Sequence, residues 1–118
     1  MSVFETTVTG IGKEAELFKT EKMVILFGEN APESLADYCY NIEMKRATAE
    51  IKTGMILSFD DVLYSITAVG DVVRKNLDDL GHITIKFDGS NSPELPGTLY
   101  VEAKELPAIV EGTKVKIK

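Results

Sequence analysis

His82 is the only histidine in the chain and Cys39 the only cysteine, so imidazole and thiol chemistry have one address each. A neutral imidazole nitrogen can attack phosphorus, carry a proton or bind a metal. The thiol is a nucleophile as its thiolate, which needs a nearby cation such as Lys45 or Arg46 to form at neutral pH. One His and one Cys leave only carboxylates to complete a metal shell, which is not a zinc or copper donor set. No cofactor is expected. Each residue also has a plainer role open to it. His82 follows Gly81, where a helix should end, and could donate to the unpaired carbonyls there. A phosphoryl group at that helix end would also meet the charges of Asp78 and Asp79. A free cysteine close to Leu35 and Tyr38 has the profile of a small core residue. The neighbours Asp60-Asp61 and Asp78-Asp79 point apart and read as solvated turn and helix-end residues. The Gly89–Gly97 loop lacks the Gly-Lys-Ser/Thr that cradles nucleotide phosphates, and nothing resembles a serine triad.

The elements that must position these residues are mostly strands. Residues 3–9 are β-branched and aromatic, with Gly10 and Gly12 behind them. Lys13–Lys22 reads as a short irregular helix or a loop. Met23–Phe27 is a continuous apolar run closed by Gly28, a strand buried on both faces. Asn30 has the position of an N-cap for a helix over residues 31–38, with Pro32 in its first turn. Met44–Ile51 alternates imperfectly as a strand. Met55–Phe59 and Val62–Val69 make a hairpin across Asp60-Asp61. Asp71 can cap a helix over Val72–Leu80, whose Val72, Val73, Asn76, Leu77 and Leu80 share a face. Gly81 suits the left-handed C-cap. Ile83, Ile85 and Phe87 then alternate with Thr84 and Lys86 in the cleanest strand. Thr98–Ala103 and Val115–Ile117 are the last strands, with a bend or single helical turn at Leu106–Val110. With no βαβ rhythm, about seven or eight short strands and two short helices make a mostly β fold, an antiparallel barrel or two-sheet sandwich.

A length of 118 residues suits one domain, and 44% hydrophobic content gives it a core. No apolar run spans a bilayer, so no membrane insertion is expected, and no secretory pattern opens the chain. The single cysteine suits a reducing cytoplasm. A net charge of −6 repels phosphate backbones and argues against nucleic-acid binding, the local Lys45-Arg46 pair being too small a patch to reverse it.

Several segments together resemble a known family. They are Phe4–Gly12, Thr67-Ala68-Val69-Gly70, Asn76-Leu77, Leu80-Gly81-His82-Ile83-Thr84, Phe87-Asp88-Gly89 and Pro96-Gly97-Thr98. They resemble the glucitol/sorbitol-specific IIA component of the bacterial phosphoenolpyruvate-dependent sugar phosphotransferase system (PTS). The similarity runs from about residue 3 to residue 117 and is most specific over 67–98. It implies a cytoplasmic phosphocarrier that takes a phosphoryl group from HPr and passes it to a membrane IIB/IIC component. The family's acceptor histidine is expected just after the aromatic-Cys pair, and here Ile42 stands in that place. Three readings follow: a carrier that uses His82, a non-phosphorylatable binding or regulatory module, and a carrier that uses Cys39. Exposed barrel edges would also allow a homodimer by strand pairing.

Overall fold

The computed structural model describes residues 2–118. Eight strands form one closed barrel: β1 (Phe4–Ile11), β2 (Met23–Phe27), β3 (Tyr40–Ile42), β4 (Ile56–Phe59), β5 (Val62–Val69), β6 (Ile83–Lys86), β7 (Thr98–Val101) and β8 (Lys114–Ile117). Around the ring the order is β1-β3-β2-β6-β7-β5-β4-β8, and β8 pairs back to β1. Two helices accompany them, α1 (Glu33–Ala36) and α2 (Val73–Leu80), with a 3-10 turn at Leu17–Glu21.

The sheet is mixed, which corrects the purely antiparallel expectation. β2–β3 and β6–β7 are parallel pairs, and the others are antiparallel. A parallel neighbour needs a connection long enough to carry the chain back along the barrel. Residues 28–39, with α1, do this between β2 and β3, and the turn-forming residues 87–97 do it between β6 and β7. Reading neighbouring strands as hairpins misses both returns. Closure also rules out the sandwich, and it leaves no free edge among the described residues for a homodimer to pair through.

Alternation along the strands fills the interior. Ile83, Ile85 and Phe87 are buried as their period of two demands, and Phe59, Tyr64 and Phe87 meet as tilted and edge-on rings. Helix α2 adds Val73 and Leu77 to this core. The Asp60-Asp61 hairpin forms as expected, with Phe59 opposite Val62 and Asp60 in the left-handed region at φ 53°.

Other local expectations needed tertiary context. Asn30 does not cap α1. The helix is a single turn whose N-cap is Pro32, with no side-chain capping bond, and the Pro32 carbonyl accepts from the Leu35 and Ala36 N–H groups. Asp71 does not cap α2 either; Val72 holds that position. The approach to that helix is tied to the chain entering β7, because the Gly70 N–H donates to Thr98 and the Val72 N–H to Pro96. Those bonds tether the approach to the helix, which begins without a side-chain cap. Residues 44–51 form no strand. The chain pairs earlier, at Tyr40–Ile42, and then crosses to α2 as an irregular segment. Leu106–Val110 contains no helical turn.

Candidate functional site

Gly81 sets the local geometry. At φ 67° it is the left-handed C-cap of α2; its N–H donates to the Leu77 carbonyl at 2.9 Å and the His82 N–H to the Asn76 carbonyl at 3.2 Å. The Gly28 N–H, just past β2, donates to the Leu80 carbonyl at 3.1 Å. A Cβ on Gly81 would lie 2.8 Å from the Gly28 nitrogen, so only glycine allows the two chain segments this close.

That approach places His82 opposite Phe27. Leu26 pairs with Ile83 in the antiparallel β2–β6 ladder, so Phe27 and His82 form the next cross-strand pair. Their rings stack with centroids 4.6 Å apart and planes 16° apart. The imidazole is half-buried, and that desolvation lowers its pKa from the ordinary 6.5, keeping it neutral at pH 7. Among the described residues, no protein group hydrogen-bonds either ring nitrogen, and neither nitrogen is buried without a partner. Both therefore reach solvent. The expected donation from the His82 side chain to the α2 carbonyls is not made. Backbone N–H groups cap the helix, and the ring lies on Phe27 instead.

The aspartates at the end of α2 are occupied. Asp78 Oδ1 accepts from the Ala47 N–H at 2.7 Å, and Asp78 Oδ2 lies 3.5 Å from Arg74 Nε. Arg74 Nη2 donates to the Ala47 carbonyl at 3.2 Å, so the two side chains hold both backbone groups of one residue. Asp79 pairs with Lys75 at 2.9 Å. The acidic pair is thus neither solvated on both members nor directed at His82. Beyond it, Met44 lies against Gly28 and Gly81. A hollow of about 480 Å³ is lined by Met44, Lys45, Arg46, Asp78 and Asp79.

Ile42 and Cys39 are placed differently. Ile42 is 0% exposed and belongs to the barrel core, on the inner face of the wall that carries His82 outside. Cys39 is also 0% exposed, and burial pushes its thiol up to about 11. The structure does not bring His82, Cys39 and position 42 into one site. A hollow of about 700 Å³ between Glu50–Thr53, Ala68–Asp71, Arg74, Asn91 and Pro93 contains none of the three. Sequence reasoning missed Phe27 as the partner of His82. Its signal was the strand read as buried on both faces: in a barrel wall, a buried outward residue needs a cover.

No helix among the described residues is long and apolar enough to cross a membrane. The family model of the PTS system glucitol/sorbitol-specific IIA component matches residues 3–116. The PTS glucitol/sorbitol-specific EIIA components of Shigella flexneri and Escherichia coli (strain K12) are each 37% identical to the chain over 119 residues, covering 98% of it and 94% of the relative. The crystal structure of a PTS system IIA component from Enterococcus faecalis V583 superposes with a TM-score of 0.84 at 32% identity, covering 95% of this chain and 97% of that one. The barrel and the sequence agree, and the chain belongs to the glucitol/sorbitol-specific IIA component family of the PTS.

Proposed function

We propose that this protein is a cytoplasmic phosphocarrier that takes a phosphoryl group from HPr onto His82 and passes it to a membrane IIB/IIC component, supporting sugar-alcohol uptake. One observation carries this reading: of the three candidate positions, only His82 offers a neutral nucleophile that solvent can reach. Ile42 has no nucleophilic atom, and the Cys39 thiol is sealed and protonated. In the transfer, an imidazole lone pair forms the N–P bond while the bond from phosphorus to the donor's leaving atom breaks. The donor keeps that electron pair, and the proton on the other His82 ring nitrogen goes to solvent. The charge objection at the end of α2 weakens, because Arg74 and Lys75 engage the two aspartates.

A second reading has its own support. Ile42 is a fully integrated core residue, as expected of a family member that has given up transfer and acts as a binding or regulatory module. Incubation with phosphoenolpyruvate, enzyme I and HPr, followed by intact mass measurement, separates the two. The carrier reading expects one acid-labile phosphate that disappears in His82→Ala. No label, with an HPr that loads a control IIA component, favours the module. Label that survives His82→Ala but is lost in Cys39→Ser would assign the thiol.

A further inference from the structure

We propose that Phe27 is the positioning residue for His82, fixing the plane of the imidazole on the outside of the barrel wall so that a ring nitrogen can face an incoming phosphoryl group. The inference rests on the carrier reading and specifies how that site is organised. Phe27 is only 4% exposed and, like the buried Tyr100, stands outside the hydrophobic core cluster; it lies on the outer face at the end of β2. His82 is the one ring stacked on it among the described residues.

The surroundings leave orientation to this stack. Neighbouring side chains on the row do not reach for the ring nitrogens: Asn41 pairs with Phe27 on one side and Gly10 on the other, and its amide lies over Gly10. With no hydrogen bond holding either nitrogen, the aromatic contact is the restraint on the plane of the imidazole. In-line attack needs the nitrogen lone pair, which lies in that plane, to point along the forming N–P bond. A ring held against Phe27 keeps its lone pairs in one plane on the outer surface. A ring free to turn would spend most of its time misdirected. The glycines at 28 and 81 serve the same end by letting the two strand ends meet.

The test combines nuclear magnetic resonance of the single histidine with loading kinetics in Phe27→Leu and Phe27→Tyr. Ring-current shielding should move the His82 ring protons upfield in the wild type. That shift should be lost in Phe27→Leu and kept in Phe27→Tyr. First-order loading at saturating phospho-HPr should fall about tenfold in Phe27→Leu, with KM for HPr within about twofold, and the tyrosine should restore it. The lost shielding reports only that the stack is gone; a merely structural role would leave loading at saturating phospho-HPr unchanged. If Phe27→Leu does not fold, Phe27→Met, which conserves volume, takes its place. Loading on His82 that is as fast without the aromatic ring as with it overturns this inference alone. Absence of label in the wild type overturns the carrier reading and this inference with it.

Discussion

At the residue scale, two buried or half-buried titratable groups are held in opposite relations to reactivity. Cys39 has a desolvated thiol with no cation to favour the thiolate, so it should resist a disulfide reagent in the native protein and react stoichiometrically once denatured. Fast native labelling, measured by release of the chromophore, would contradict its burial. His82 makes a claim about pH. Burial lowers its folded pKa below the unfolded 6.5, so the unfolded chain binds the proton more readily between those two values. Stability from this group is therefore fully present above pH 6.5 and is lost as pH falls toward the lowered folded value. With the gap at neutral pH as reference, the urea midpoint of the wild type should fall relative to that of His82→Gln as pH drops below 6.5. Curves that run parallel across the window would mean that the ring is not desolvated.

At the scale of elements, α2 holds the segment that follows β3. The segment 43–55 has no ladder of its own, and Asp78 and Arg74 grip it through both backbone groups of buried Ala47. Asp78→Ala would leave that N–H without its acceptor and Arg74 without its counter-ion, costing about 1–3 kcal/mol. Asp79→Ala removes an exposed pair four residues apart and should cost about 0.5 kcal/mol or less. Chemical denaturation of the two variants tests the contrast; equal losses would mean the grip on Ala47 does not matter. The same contacts show what was legible in the sequence and what was not. The Gly81 cap, the Asp60-Asp61 hairpin and the alternation of Ile83, Ile85 and Phe87 are local, so they could be read along the chain. The caps assigned to Asn30 and Asp71 failed because each helix starts later than those residues require, with Pro32 and Val72 in the N-cap positions. The strand expected over 44–51 failed because a side-chain grip from residue 78 replaces the ladder. For the site, the sequence named His82 and Ile42 as the positions to compare. It could not show that they lie on opposite faces of one wall, nor that Phe27 stacks on the imidazole, since these depend on how β2 pairs with β3 and β6.

At the scale of the whole molecule, closure decides how the parts depend on one another. The two ends of the chain complete the ring: β8 pairs with β1 from Phe4↔Ile117 to Thr7↔Lys114, and on its other side with β4 from Leu57↔Ile117 to Phe59↔Val115. The Val3 N–H donates to the Ile117 carbonyl, and residue 118 exchanges two backbone bonds with Ile56. One short strand near the C-terminus thus seals both neighbours, and its Val115 and Ile117 fill the core that His82 and Phe27 lean against from outside. Removing residues 114–118 should therefore do more than fray an end. It would strip the ladder partners from β1 and β4 together, leave two long edges unpaired and open the core to water. The expected result is loss of the cooperative thermal transition, with light scattering rising as the free edges pair between molecules. Val115→Ala is the milder control: it keeps every backbone bond of the ladder and should cost about 1–3 kcal/mol while the cooperative transition survives. A truncated protein that still melts cooperatively as a monomer would show that the barrel holds without closure, and the wall carrying the Phe27–His82 stack would then be stable on fewer strands than the ring contains.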